Sequence, residues 1–287
     1  MTLNRAGVGR VCSVAGHRGT PERLVRVPLH TTSYGDSAHP QGSRIVFCHG
    51  LFGQGRNWTQ HAKALAADHR VLLVDMPDHG RSPWSDRFDY LAAADQVAEL
   101  LSADDPVVLV GHSMGGKTAM ALALRHPELV ERLCVVDVAP VAYQHTTEFA
   151  RFIDAMLAID LTTLEGRGAA DAALQDAVPD PVVRGFLLQN LRREGDRWHW
   201  QPNLELLRDQ IDDIGGWPTA ALEQEAPYDG PVLWVGGAES RYVLADYAPA
   251  MEAYFPRVRR VTVKGAGHWV HSEQPAIFLE VLRRFVD

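Results

Sequence analysis

Long apolar runs are missing from this chain of 287 residues: none approaches the ~18 consecutive residues that a membrane-spanning helix needs. Cysteine is scarce. The three present, Cys12, Cys48 and Cys134, cannot make a disulfide framework. Cys48 and Cys134 lie inside apolar, strand-like runs, where a thiol behaves as a small buried hydrophobe. Basic residues are outnumbered, 28 Lys and Arg against 36 Asp and Glu, and the net charge of −8 argues against nucleic acid or an anionic membrane as the main partner. HExxH, paired CxxC and carboxylate–histidine clusters are absent, so a metal is not expected. The first twenty residues hold no acid and carry Arg5, Arg10 and Arg18 without an apolar core between them. That pattern excludes a secretory signal. A flexible leader over 1–22 is expected rather than a transit peptide, with the cytoplasm as the default location.

What is present reads as an α/β domain. Hydrophobic residues make up 46% of the chain, and at ~150 residues per domain its length fits one large domain with an insertion. From Leu24 onward, short β-rich runs alternate with helical periods, the pattern of a mostly parallel, doubly wound sheet. Leu24–Tyr34 alternates like an edge strand. Ile45–Cys48, Val71–Asp75, Val107–Val110, Leu133–Val136, Val232–Val235 and Val258–Val263 read as further strands. Helices are expected over Trp58–Ala67, Met114–Arg125 and Ile277–Phe285. Between Val141 and Tyr228 only helical stripes are visible, which predicts an all-helical lid (141–228) inserted into a core of 23–140 and 229–287. Such a lid would cover the carboxyl ends of the strands, where open α/β sheets place their ligands.

Three motifs carry chemistry. Gly111-His112-Ser113-Met114-Gly115 follows one strand and opens a helix. A nucleophilic serine on a sharp strand-to-helix turn needs small neighbours, so that its backbone can be approached without Cβ clashes. The N–H groups after it would lie at a helix N-terminus, favourable to a forming oxyanion. His49-Gly50-Leu51-Phe52-Gly53 follows another strand, and the amides of Leu51 and Met114 would pair as an oxyanion hole; His49 itself reads as a structural hydrogen-bonding residue. Gly265-Ala266-Gly267-His268-Trp269 follows the last strand. There His268 is the expected general base, with His271 as its competitor.

Taken together, HGLFG, DMPDHGRS (Asp75–Ser82), GHSMGGK and AGHWVH resemble the α/β-hydrolase superfamily, and within it the abhydrolase-type serine esterase branch. The resemblance runs from about Arg44 to the C-terminus. It implies a Ser–acid–His triad, no cofactor, and hydrolysis of ester or related acyl bonds. A serine at the elbow, where relatives that open epoxides or carbon–halogen bonds carry aspartate, argues against those reactions. Most relatives place the acid after the strand that reads PVLWV here, yet this chain has Gly237-Ala238-Glu239-Ser240. Asp137 resembles the acid of the esterase branch, with Glu239 as the alternative and Asp209 and Asp212 behind it.

The expectation is therefore a cofactor-independent carboxylesterase using Ser113, His268 and Asp137 on a small or medium, partly apolar ester, with water as co-substrate. Phe52, Phe186, Trp200, Trp217 and Trp269 are the expected pocket aromatics. A thioesterase, a carbon–carbon bond hydrolase or a hydrolase-fold ligand receptor would carry the same motifs.

Overall fold

The structure, a computed structural model, describes residues 27–35, 41–144 and 146–287. The expectations for the leader and for Cys12 lie outside these residues, as does the start of the expected edge strand. Among the described residues nine strands run in chain order: β1 (Thr31–Tyr34), β2 (Arg44–Cys48), β3 (Arg70–Val74), β4 (Val107–His112), β5 (Val130–Val136), β6 (Leu191–Glu194), β7 (Arg197–Trp200), β8 (Val232–Gly237) and β9 (Val258–Val263). Seven form one sheet in the order β1-β3-β2-β4-β5-β8-β9, parallel throughout except for the antiparallel β1 edge.

Both faces of this sheet are covered, so its central strands are apolar on every residue rather than on alternate ones. Ile45 and Phe47 of β2 join Val108 and Val110 of β4 in a core with Trp58, Phe278 and Leu282. Val46 and Cys48 point the other way, toward Leu109, Met120 and Leu122. The period-2 alternation thus feeds two helical layers. The helix expected over Trp58–Ala67 is shorter, a 3₁₀ turn at Gly55–Trp58 leading into Thr59–Leu65. The final helix is longer than read, Pro275–Val286, with Pro275 in its first turn.

Chain order reverses between β2 and β4, which are neighbours with β3 on the far side of β2. At such a switch point the loops leaving two adjacent strands diverge and open a crevice. The loops that leave β2 and β4 here are the His49–Gly53 turn and the Ser113 elbow.

The segment 141–228 enters the chain between β5 and β8. It contains helices Thr147–Leu157, Arg167–Leu174, Pro181–Leu188, Leu204–Asp209, Ile211–Gly215 and Thr219–Leu222. The all-helical expectation is corrected by the hairpin β6–β7, whose register runs from Leu191↔Trp200 to Glu194↔Arg197. Gly195, at φ +58°, opens its two-residue turn. Four-residue arms rich in arginine offer too little apolar alternation to mark themselves as strands.

Candidate active site

Ser113 sits between the last residue of β4 and helix Met114–Arg125 at φ 51°, ψ −121°, a conformation that side chains rarely adopt. Its N–H donates to the Val136 carbonyl at 3.0 Å. The glycines around it are required by space: a Cβ on Gly111 would stand 2.3 Å from the Gly115 carbonyl oxygen, and one on Gly115 would stand 2.4 Å from that of His49. The strained turn therefore brings the β4 elbow against the β2 loop.

His268, on the loop after β9, faces Ser113 with Nε2 at 3.1 Å from Oγ. Its Nδ1 lies 2.8 Å from Oδ2 of Asp137, which is fully buried. A carboxylate accepts only, so Nδ1–H donates to Asp137 and Nε2 is free to accept from the Ser113 hydroxyl. Asp137 leaves β5 at φ 51°, its own N–H donates to the Val235 carbonyl at 2.7 Å, and its Oδ1 accepts the Gly237 N–H at 2.9 Å. The Ser240 hydroxyl donates to Oδ2. The His268 backbone is held in turn by His112, whose Nε2–H donates to its carbonyl at 2.9 Å.

The competing residues stand elsewhere. His271 is buried and stacked on Trp58 at 4.1 Å, and burial pushes its imidazole down to about 3, so it stays neutral. His49 accepts the Met76 N–H at Nε2 and faces the Gly50 carbonyl through Nδ1, a structural pairing that burial keeps uncharged. Glu239 is exposed and contributes only a backbone N–H to the Ala266 carbonyl. Asp209 is exposed as well, and Asp212 accepts the Thr146 hydroxyl at 2.8 Å.

Leu51 and Met114 line the same cleft as Ser113. A Cβ on Gly50 would lie 3.1 Å from Ser113 Cβ, which measures how closely the two loops approach. Met114 is the first residue of its helix, where an N–H has no intrahelical acceptor. Phe52 is held at φ 61° while its carbonyl accepts from Asn190 Nδ2 at 2.8 Å.

Two clefts meet at Ser113. One is lined by Leu51, Met114, Val138, Tyr143, Ile214 and Lys117. The other is lined by Phe52, Phe149, Phe186, Leu187, His268 and Trp269. Phe52, Phe186 and Trp269 therefore stand where the sequence puts pocket aromatics. Trp200 and Trp217 do not, and that expectation is corrected. Trp200 is buried in the inserted segment, donating Nε1–H to the Met156 carbonyl at 3.1 Å, and Trp217 packs against Tyr254 at 5.7 Å. Both rings fill the interior of the segment and its base, because a large aromatic with many apolar neighbours serves packing before it serves a cleft.

Sequence reading passed over Lys117. Four residues beyond the serine on one helix, it is 1% exposed and donates to the carbonyls of Gly215 and Gly216 at 2.7 and 2.5 Å. Its Nζ also faces the rings of Tyr143 at 4.6 Å and Tyr90 at 5.7 Å. Burial pushes the ammonium down to about 7. Only the Lys in GHSMGGK hinted at it, and a helical lysine ordinarily belongs to solvent. Among the described residues, no group of three His, Cys, Asp or Glu side chains is placed to hold a metal ion, and no helix is long and apolar enough to cross a membrane.

Residues 43–275 match the family model for the alpha/beta hydrolase fold. The chain belongs to that family. Among alpha/beta hydrolases it is 40% identical to the sn-1-specific diacylglycerol lipase ABHD11 of Mus musculus over 260 residues, covering 88% of this chain and 82% of the mouse protein. It is 35% identical to the esterase YbfF of Escherichia coli K12, covering 85% and 93% of the two chains. In three dimensions it is similar to a marine microorganism esterase with a TM-score of 0.84 at 32% identity, over 90% of this chain and 99% of that one.

Proposed function

We propose that this alpha/beta hydrolase cleaves carboxylic esters through an acyl-enzyme on Ser113. The chain is a carboxylesterase-type hydrolase, in keeping with relatives that are named lipase and esterase. The observation that carries the finer reading is the unbroken contact Asp137–His268–Ser113, at 2.8 and 3.1 Å.

His268 takes the hydroxyl proton through Nε2 as Ser113 attacks the acyl carbon, and Asp137 stabilises the imidazolium that forms. The Leu51 and Met114 amides hold the developing oxyanion, and one such donor contributes about 3–4 kcal/mol to the transition state. His268 then returns the proton to the leaving alcohol, and water repeats the sequence to release the acid. The apolar cleft of Phe52, Phe186 and Trp269 receives the acyl chain, and segment 141–228 acts as a lid that sets chain-length preference.

Intact-mass labelling with a fluorophosphonate, followed by turnover of 4-nitrophenyl esters of graded chain length, tests the reading. One adduct per chain on Ser113 with ester turnover is the expected result. Turnover without labelling at Ser113 overturns it.

A further inference from the structure

We propose that Arg56, Arg81, Arg167 and Arg192 form an anion site for a phosphate-bearing alcohol half of the ester, beside the acyl cleft. The proposal deepens the hydrolase reading and rests on it.

Four arginines gather here in a chain whose net charge is −8. Among the described residues, none of the four forms an ion pair. Three are steered by neutral acceptors instead. Arg56 donates to the Gln189 carbonyl at 2.8 Å, Arg167 to the Leu191 carbonyl at 2.8 Å, and Arg192 to Oε1 of Gln54 at 3.3 Å. Gln54 Nε2 shares the Gln189 carbonyl with Arg56 at 3.3 Å, so the Arg56 and Arg192 guanidiniums are linked through one glutamine.

Neither charge is neutralised. Burial and the positive charges of Arg167 and Arg81 hold Arg56 below the usual arginine range, and Arg192 is lowered by burial and then by Arg56, Arg167 and Arg81. Asp75 is the one carboxylate that eases Arg56, and it is committed to the Gly55 and Arg81 N–H groups at 2.7 and 2.9 Å. Four like charges held together beside a single carboxylate cost energy that a bound anion returns. Guanidiniums match phosphate oxygens in planar, bidentate geometry, which makes phosphate the fitting class.

The position ties the cluster to the reaction. Gln54 is two residues from Phe52 of the cleft wall, so their Cα atoms are at most about 7.6 Å apart. Gln189 follows the helix that supplies Phe186 and Leu187 to the same cleft, and Asn190 holds the Phe52 carbonyl. The proposal sets the acyl chain of the ester in this cleft and the phosphate of its alcohol half on the arginines at the cleft's rim.

The test uses a matched pair of probes, 1-octanoylglycerol 3-phosphate and 1-octanoylglycerol. Wild type is expected to prefer the phosphorylated ester in kcat/KM, and the preference should fade as salt rises. Arg56→Gln combined with Arg192→Gln should cut the ratio of the two kcat/KM values by about tenfold or more, equivalent to ~1.4 kcal/mol. Arg167→Gln, which gives up a single carbonyl contact, should cut the ratio by a smaller factor and guards against a folding defect in the double variant. An equal loss on both probes would mean that the arginines only tie the inserted segment to the core, and would overturn the proposal. So would a ratio near one in wild type, or discrimination between anionic and neutral vesicles without discrimination between the probes. Calorimetric binding of inorganic pyrophosphate to Ser113→Ala protein reads the anion site without turnover. Arginine-dependent pyrophosphate binding, together with a wild-type protein that cleaves neither ester, would sink the hydrolase reading and leave the anion site standing.

Discussion

Ser240 gives its hydroxyl to the same Asp137 oxygen, Oδ2, that meets His268 Nδ1. Position 240 is where most relatives in the family resemblance carry their acid, so a carboxylate grafted there would arrive beside the same imidazole. Asp137→Asn should lose roughly 10⁴ in kcat, because the amide neither stabilises the imidazolium nor favours the productive tautomer. Adding Ser240→Asp to that variant should recover part of the loss. Glu239→Gln should change kcat less than about twofold, as an exposed side chain touching none of the three. Steady-state kinetics on purified, folded variants decides. A collapse in Glu239→Gln with Asp137→Asn keeping about a tenth of activity would reverse the assignment.

Ser113→Ala should lose ~10⁴ or more in kcat while keeping the wild-type melting temperature within a few degrees. Fluorophosphonate labelling should vanish with it. An adduct that persists in this variant would move the nucleophile elsewhere.

Phe186 and Trp200 should respond to truncation in opposite ways. Phe186 stands at the cleft, 6.1 Å from Trp269 between ring centroids, so Phe186→Ala should shift the chain-length profile with a modest change in stability. Trp200 is a packing residue, and Trp200→Ala should cost about 3–5 kcal/mol in unfolding free energy while lowering activity on every ester alike. Denaturant melts paired with an ester panel separate the two. A selective loss on long chains in Trp200→Ala would return that ring to the pocket.

Lys117 should leave a signature in stability against pH. Burial depresses its folded value to about 7, below the ~10.4 of an unfolded lysine. Between those values the unfolded chain binds a proton that the folded chain lacks, so this group makes stability rise with pH across the window and contributes no slope outside it. The nearby Tyr90 and Tyr143 hydroxyls are both pushed above the usual tyrosine range, so they oppose this slope only from about pH 10 upward, and they do so equally with and without Lys117. Lys117→Met should remove a slope of up to ~1.4 kcal/mol per pH unit between pH 7 and 10. Urea unfolding at pH 6.5, 8 and 9.5 checks this, and parallel curves for the two proteins would show that the lysine keeps an ordinary affinity for its proton.

The α/β alternation, the buried central strands, the Ser113 elbow and the His268 loop could all be read along the chain, because each depends on local spacing: a β-rich run, then glycines that free a turn, then a helical period. Asp137 needed the family resemblance as well, since nothing near it in the chain marks a triad acid. The hairpin Leu191–Trp200 is not legible along the chain because four-residue arms leave no measurable period. The roles of Trp200 and Trp217 are not legible for a related reason: an apolar stripe shows that a ring is buried and not which surface buries it. Lys117 and the arginine cluster belong to the same class. Their meaning comes from carbonyls, rings and like charges distant in sequence, brought together when segment 141–228 packs against the core. Sequence alone determined the sheet and pointed to the proposed nucleophile and base, whose requirements are met by neighbours in the chain. Tertiary structure decided which carboxylate meets His268, which aromatics line the cleft at Ser113 and which arginines bond only neutral acceptors, because burial and electrostatics act through space.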